Sequence, residues 1–253
     1  MVRDALGNFQ GGNLSLVIAS LPFKCPAAPY EAMMLIESFL KRRRLREKTT
    51  LHLYTPEPYP LPVTGPEIGG EVQKILEERG ISFHPNMKIK EIKGDTRELL
   101  FSDGKQATFD LLLGVPPHRP SDPLPASGLL GKSGWVEVDP FTLKTGFENV
   151  YAIGDSTGIK IAGGKMLPKA GVFAHYEGEV VAQNIAQEIR GKKPDKTFRG
   201  DGQCFMEVGG GKAGFARGNF YREPSPNIRM YPTGRRWHWK KLLFEWYWFR
   251  SWF

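Results

Sequence analysis

The sequence contains little cysteine, with only Cys25 and Cys204 among its 253 residues. Two cysteines are too few for a disulfide-stabilised scaffold, no C-x-x-C pair is present, and the five histidines show no metal-ligand spacing. The chain also lacks a run of about 18 apolar residues, so the sequence predicts no membrane-spanning helix. Because its first twelve residues are polar and glycine-rich, we expect no signal peptide.

Acidic residues are fewer than basic ones, which gives the chain a net charge of +8. The basic residues do not form one patch interleaved with aromatic side chains; they gather at residues 41–46 and near the C-terminus. The first group is typical of a helix end, where cations complement the helix dipole, and the second indicates an anionic membrane surface. No nucleic-acid-binding fold is indicated, so we expect no nucleic-acid partner.

A third absence is a G-x-G-x-x-G loop between a strand and a helix, which is the setting that binds dinucleotide phosphates; residues 209–214 have this glycine spacing, but we expect a turn there because no strand–glycine–helix pattern surrounds them. The apolar patterns predict a strand over Leu14–Ala19, a helix over Tyr30–Leu45 and a strand over Thr50–Thr55, which together form a βαβ unit. The turn at residues 21–29 carries three prolines, which lack the N–H donors that a pyrophosphate needs. We therefore expect a nicotinamide-type domain that is kept as a scaffold and does not bind NAD(P)H.

The rest of the chain continues this α/β organisation. Apolar residues make up 40% and charged residues 25%, which fits one large globular domain or two modest ones. The further predicted elements are a helix over 67–79, a strand over 81–84, a meander over 87–93, 98–101 and 107–109, a strand over 111–115, a hinge over 116–120, short strands over 135–138 and 142–143, a strand over 149–155, a helix over 173–190, and paired strands over 203–207 and 213–220.

The stretch over Asn149–Asp155 reads as a short apolar strand that ends in Gly-Asp. Gly154 has no Cβ, so its backbone can approach a ligand closely, and the Asp155 carboxylate can accept hydrogen bonds from a sugar or ribityl hydroxyl. The alternative is an ordinary strand and turn in which the aspartate caps a helix. Lys169 follows fourteen residues after Asp155, within a Pro-Lys-Ala-Gly sequence.

Five segments carry a family resemblance: Pro22–Glu31, Val115–Pro120, Asn149–Asp155, Pro168–Gly171 and Gly202–Glu207. These segments, in the order in which they occur, resemble those of the sulfide:quinone oxidoreductase and flavocytochrome c sulfide dehydrogenase family. The members of this family are flavoproteins of the disulfide-reductase superfamily. The resemblance implies an α/β fold with a Rossmann-like FAD/NAD(P)-binding domain in three-layer packing. Because the family's glycine-rich loop for the ADP half of FAD is missing here, the chain looks like a C-terminal portion with an incomplete FAD domain.

The resemblance also implies a division of the chain into four parts. These are a leader over 1–12 that continues a missing N-terminal half, a nicotinamide-type βαβ unit over 13–117, the C-terminal part of the FAD domain over 118–200, and a region with a redox cysteine and a membrane anchor over 201–253. The expected activity is electron transfer from sulfide, or another sulfur substrate, to quinone. The alternative is a truncated, non-catalytic scaffold or subunit that needs a partner for its FAD half; a homo-oligomer is also open.

The catalytic residues that the resemblance implies are Cys25 and Cys204 as a redox-active pair, with Glu31 and His118 as proton-transfer groups. A helix N-terminus and Lys24 are expected to lower the pKa of the Cys25 thiol, because thiolate is the reactive form. The alternative for the cysteines is a pair of buried free thiols. Glu31 could instead merely complement a helix dipole, and His118 could be a surface histidine at a hinge.

The implied cofactor is FAD, with the isoalloxazine near Pro168, Lys169, Ala170 and Gly171 and the ribityl chain near Gly154 and Asp155. A positive charge or a helix N-terminus there would stabilise a reduced, anionic flavin. The alternative for the lysine is a solvent-exposed side chain before a helix.

The C-terminal segment Arg235–Phe253 combines tryptophan and tyrosine with lysine and arginine. These residues favour the membrane interface and anionic lipid, so we expect an amphipathic membrane-binding helix and a peripheral location, on the cytoplasmic side. In quinone-reducing members such a segment docks the enzyme beside its quinone. The alternative is a helix that packs on a partner subunit.

Overall fold

The structure, a computed structural model, describes residues 2–252; Met1 of the predicted leader and Phe253 of the predicted tail lie outside them. Its α-helices are α1 (Val2–Asn8), α2 (Ala28–Arg42), α3 (Pro66–Glu78), α4 (Pro123–Ala126), α5 (Gly171–Ile189) and α6 (Arg235–Trp252). Its strands are β1 (Gly12–Ile18), β2 (Thr49–Tyr54), β3 (Ile81–His84), β4 (Ile89–Lys93), β5 (Glu98–Phe101), β6 (Gln106–Thr108), β7 (Leu111–Val115), β8 (Asp201–Gly209), β9 (Lys212–Asn219) and β10 (Asn227–Gly234).

A parallel sheet with the strand order β3-β2-β1-β7 forms the middle layer of the first part of the chain. Successive side chains of a strand point to opposite faces, so β1 serves two cores. Leu14, Leu16 and Ile18 join the core under α2 and α3. Val17 joins the other core, with Leu99 of the antiparallel β4-β5-β6 sheet. These layers confirm the predicted three-layer α/β fold.

The helix after β1 is shorter at its C-terminal end than its apolar pattern predicts. α2 begins at Ala28, with Pro29 in its first turn, and ends at Arg42 instead of Leu45. Arg44 has a φ of 58°, in the left-handed region, which a right-handed helix cannot contain. The predicted end was therefore wrong by one helical turn.

The predicted strand over 149–155 is absent. Asn149 has a φ of 58°, Tyr151 makes one isolated bridge with Lys144, and Gly154–Ser156 forms a single 3₁₀ turn. The short strand predicted over 135–138 is likewise reduced to isolated bridges of Val136, and the strand predicted over 142–143 is absent. A strand needs a neighbouring strand to pair its backbone groups, and the described residues provide none along this segment.

A second antiparallel sheet, with the order β10-β9-β8, follows α5 and supports the C-terminal helix. The indole of Trp237 at the start of α6 stacks on Phe215 of β9, with ring centroids 4.6 Å apart. The paired strands over 203–207 and 213–220 are confirmed within β8 and β9. The sequence patterns did not predict β10 or α1.

Candidate active site

A cavity of about 460 Å³ lies where the carboxyl end of β1, the N-termini of α2 and α5, and strands β8 and β9 meet. Its walls are mainly apolar, and they include both cysteines of the chain although 179 residues separate them (204 − 25). Large side chains that line it are Phe23, Ile68, Phe173, Met206, Phe215 and Met230. The structure therefore brings the predicted redox pair into one cavity.

Cys25 occupies a strained position in the loop between β1 and α2. Its φ of 53° lies in the left-handed region, which a non-glycine residue adopts only at a cost of about 1–2 kcal/mol. The Cys25 N–H donates to the carbonyl of Lys169 over 2.7 Å, and the Cys25 carbonyl accepts from Ala28 over 2.9 Å. These two hydrogen bonds fix Cys25 against the loop that carries Lys169.

Successive side chains of β8 point to opposite faces of the sheet. Cys204 and Met206 point toward the cavity, and the residue between them points toward α6. Both cysteines are free thiols. Although both side chains are partly exposed, desolvation by the surrounding protein, followed by the charge of Cys25, raises the pKa of Cys204 to about 12. Both thiols therefore face the same cavity, and the charge of Cys25 acts on Cys204.

The expectation that the pKa of Cys25 is lowered was wrong. Burial raises it, and Glu31 and Asp155 add to the increase. Lys24 does not compensate, because its Nζ lies 3.6 Å from Asp155 Oδ2 in an ion pair. The desolvation of the thiolate thus outweighs the helix dipole at this position.

A cation that the sequence patterns did not identify reaches the site from the C-terminal helix. Lys241 Nζ lies 3.3 Å from Glu31 Oε1 and 3.9 Å from Glu207 Oε1. His238 Nδ1, one turn earlier on α6, lies 2.9 Å from the same Glu207 oxygen. Lys241 lowers the pKa of both thiols, although burial keeps each above its ordinary value. Its long separation from Glu31 in sequence explains why no local pattern revealed it.

Glu31 is half-buried beside this lysine. Burial raises the pKa of the Glu31 carboxyl, and Lys241 opposes the increase. A carboxyl group whose pKa is raised next to two thiols is suited to accept and return a proton. The structure therefore places Glu31 where the predicted acid–base role is chemically possible.

Lys169 is buried, with 5% of its surface exposed, in contrast to the alternative of a solvent-exposed lysine. Its Nζ donates to the carbonyls of Asp155 and Thr157, each over 2.8 Å, and lies 3.4 Å from the centroid of the Trp135 ring. Burial lowers the pKa of the ammonium group to about 8. Lys169 therefore carries a desolvated positive charge at the edge of the cavity.

Glu177 is the buried acid of this part of the chain, and sequence reasoning missed it. Its Oε2 accepts the N–H of Gly154 over 2.5 Å, and burial raises its pKa. A Cβ at Gly154 would lie 2.8 Å from the Cβ of Ala174. The structure thus gives the glycine a packing role against α5, where the sequence suggested close approach of a ligand.

His118 lies next to the Cys25 loop rather than on a free surface. Its Nδ1 accepts the N–H of Lys24 over 2.5 Å, and burial lowers its pKa. The lowered pKa favours the neutral ring, and the hydrogen bond from the backbone fixes its Nδ1. The role of His118 in proton transfer stays a prediction.

The C-terminal segment is helical, and most of its large apolar side chains are exposed. Trp237 is buried, and Trp248 contacts the ring of His175 with centroids 4.7 Å apart. No helix within residues 2–252 is both long enough and apolar enough to cross a membrane. The exposed large apolar side chains of α6 are Trp239, Leu242, Leu243, Phe244, Trp246, Tyr247, Phe249 and Trp252.

The model of the pyridine nucleotide-disulphide oxidoreductase family matches residues 32–178. The mitochondrial sulfide:quinone oxidoreductase of Schizosaccharomyces pombe is 29% identical over 233 residues, which cover 87% of this chain and 48% of that protein. The sulfide-quinone reductase of Aquifex aeolicus is 26% identical over 254 residues, covering 92% and 56%. The chain spans about half the length of the curated relatives it matches.

The solved structure of the Aquifex aeolicus sulfide:quinone oxidoreductase superimposes with a TM-score of 0.82 at 21% identity. The match covers 99% of this chain and 60% of that one. A NAD-dependent persulfide reductase from A. fulgidus matches less closely, with a TM-score of 0.58 at 18% identity over 86% of this chain. At these identities the structural matches establish the fold.

Proposed function

This chain belongs to the pyridine nucleotide-disulphide oxidoreductase family, and on that premise we propose that it is the C-terminal portion of a FAD-dependent oxidoreductase of the sulfide:quinone type. The observation that carries the proposal is the single cavity lined by Cys25, Cys204 and Lys169. The two thiols are far apart in the sequence but line the same cavity, beside a desolvated cation at a helix N-terminus. This arrangement suits electron transfer from sulfur to an acceptor that becomes anionic.

The residues around the cavity fit the isoalloxazine end of FAD. Ala170 precedes α5 without a side-chain cap, so the first N–H groups of α5 have no intrahelical acceptor. Together with Lys169 they would complement the negative charge of a reduced flavin, and Asp155 would accept a ribityl hydroxyl. When bound, FAD would supply the acceptor for one electron pair. Since the glycine-rich turn over 209–214 joins strands β8 and β9 rather than a strand and a helix, we assign the ADP half to a preceding segment or a partner subunit.

The chemistry that we propose starts from a Cys25–Cys204 disulfide. Hydrosulfide attacks one of the two sulfurs, so a bond forms between the sulfide sulfur and that cysteine while the bond between the two cysteines breaks. The other cysteine leaves as a thiolate that carries the electron pair to be passed on. Glu31 accepts the proton that hydrogen sulfide loses, and the Lys241 charge stabilises the thiolate.

The electron acceptor that we propose is a quinone in the membrane, reached by peripheral docking of α6. The support is the set of exposed tryptophans and aliphatic residues on a helix that also carries lysine and arginine. His118 would transfer protons on the quinone side, because it is tied to the Cys25 loop and half-buried.

The position of the chain's G-x-G-x-x-G spacing in the β8–β9 hairpin, and not between a strand and a helix, favours a second candidate, a non-catalytic subunit docked on a membrane or a partner. Visible absorption of the protein with FAD, before and after anaerobic addition of sulfide, separates the two. The enzyme proposal predicts a flavin spectrum that sulfide bleaches, with Cys204→Ser binding flavin but losing more than about 99% of the bleaching rate. A protein that stays colourless with FAD, or whose flavin ignores sulfide, would support the subunit.

A further inference from the structure

A second, polar cavity of about 460 Å³ opens on the β8–β10 sheet. Three arginines line it, Arg217, Arg222 and Arg229, against one carboxylate, Asp201. The lining thus carries an excess of two positive charges. Gly202, Gln203 and Arg217 line both cavities, but the redox chemistry and the flavin site proposed above assign no role to these three residues.

The arginines are placed in a way that costs stability without a ligand. Arg217 of β9 and Arg229 of β10 are direct cross-strand partners, and like charges in that relation repel. Their guanidinium carbons lie 5.9 and 5.0 Å from the ring centroid of Tyr231, so one aromatic face orients both. Within residues 2–252, none of the three arginines forms an ion pair with a carboxylate.

Two of the neutral side chains that line the cavity have partners. The amide of Asn219 donates to Asp201 over 2.9 Å, and the amide of Gln203 donates to the hydroxyl of Tyr176 over 3.4 Å. The guanidinium N–H groups are therefore the free donors. Their forked geometry matches the oxygens of a phosphate group, which can bridge two arginines that otherwise repel.

The cavity lies on the same side of the sheet as α6. Tyr231, which orients the arginines, also contacts Trp237 with ring centroids 5.5 Å apart. Tyr176 on the opposite wall follows His175, which contacts Trp248. A helix with exposed tryptophans thus runs along a basic cavity, and tryptophan favours the depth at which lipid headgroups lie.

We propose that this cavity binds the phosphate of an anionic phospholipid headgroup while α6 lies in the membrane interface. The inference rests on the docking of α6 given under Proposed function, but on none of its redox chemistry. Arg217 and Arg229 hold the phosphate in a bidentate manner, and Arg222 closes the cavity. The site makes the docking selective for anionic lipid.

Co-sedimentation of the full chain with vesicles of phosphatidylcholine, with and without phosphatidylglycerol, tests this site. We expect Arg217→Gln/Arg229→Gln to lower binding to the anionic vesicles about tenfold or more and to leave binding to neutral vesicles unchanged. Lys88→Gln/Lys90→Gln, which removes two exposed charges from the other three-stranded sheet, is the matched control and should change binding less than about twofold. Arg217→Lys/Arg229→Lys should recover only part of the loss, because lysine lacks the fork.

Equal losses in the arginine and lysine pairs, or full recovery with Arg217→Lys/Arg229→Lys, would overturn the site in favour of general charge attraction. Inorganic phosphate that raises the Tm of the wild type but not of Arg217→Gln/Arg229→Gln, without anionic selectivity in vesicle binding, would assign the cavity to soluble phosphate instead. Sulfide bleaching of flavin is scored separately on the same proteins, so a failure of the enzyme proposal is distinguishable from a failure of this one.

Discussion

The parallel-sheet region (residues 12–115) and the segment after it (residues 118–200) each contain a hydrophobic core, but they differ in how much regular strand structure they have. The first is built around aliphatic side chains with almost no exposed surface, such as Leu14, Ile18 and Leu53. The second has isolated bridges in place of strands and buries Lys169 and Glu177 with hydrogen bonds to the backbone. Hydrophobic burial thus stabilises the scaffold, while polar contacts position the side chains that could take part in a reaction.

The difference explains how one chain combines a robust fold with a charged site. A buried charge is tolerated only when it is paired, so each of the polar contacts in residues 118–200 fixes the position of its partners. The cysteines lie at the junction, because Cys25 follows β1 of the sheet region and hydrogen-bonds to the Lys169 loop. Substitutions that act on one region and spare the other test this division.

The largest expected effect is in the aliphatic core. Leu53→Ala removes a fully buried side chain from β2 and should lower the free energy of unfolding by about 3 kcal/mol. Urea denaturation measures the change, and Leu21→Ala at a half-exposed position should cost less than about 0.5 kcal/mol. A similar loss for both variants would remove the basis of the comparison.

In the polar segment, Glu177→Leu should cost about 2 kcal/mol, because the N–H of Gly154 loses its acceptor in a buried position. The matched control is Glu179→Leu, on the same helix but exposed, which should change the free energy of unfolding by less than about 0.5 kcal/mol. If Glu177→Leu proves neutral or stabilising, polar contacts do not hold this segment.

In the sheet region, the contribution of the buried acid Glu57 to the free energy of unfolding should depend strongly on pH. Burial raises the pKa of Glu57 to about 6, against the donated hydrogen bond of Tyr30. The folded state therefore binds the proton more tightly than the unfolded state, so this contribution to stability is full below about pH 4.5 and is lost as the pH rises through about 6. Between these limits the wild type should lose about 2 kcal/mol relative to Glu57→Gln, measured by denaturation at each pH. An equal pH dependence in both proteins would contradict the assignment.

The smallest effect concerns the link between α6 and the thiols. Lys241→Met should raise the midpoint of the pH profile of thiol alkylation by up to about one unit, because the cation no longer stabilises the thiolates. Lys240→Met, the neighbouring position whose Nζ lies over the Trp237 ring, is the control and should leave the midpoint unchanged. Equal profiles for all three proteins would show that α6 does not act on the site.

Local patterns predicted the elements whose apolar residues repeat clearly, such as β1, β2, α3 and the β4–β6 meander. They failed where long-range contacts decide the conformation. The stretch over Asn149–Asp155 has the composition of a strand but no strand beside it among the described residues. β10 was missed because Pro232, a residue that is unfavourable inside a strand, lies within it.

The same division applies to the site. Family motifs identified Cys25, Cys204, Glu31 and Lys169, and the structure gathers them around one cavity or its rim. Lys241 and Glu177 could not be identified, because their roles arise from contacts with residues far away in the chain. The sequence could not predict the raised pKa of Cys25 either, because desolvation of the thiol depends on the whole fold.

The most direct test of the account is whether Cys25 and Cys204 form one disulfide. The protein is oxidised with a mild thiol oxidant, digested without reduction and examined by mass spectrometry, with Cys204→Ser as the control. We expect an intramolecular Cys25–Cys204 link in most molecules, and one added sulfur atom on a single cysteine after treatment with sulfide. Two thiols that remain separately alkylated, or that link only between molecules, would contradict a shared redox site.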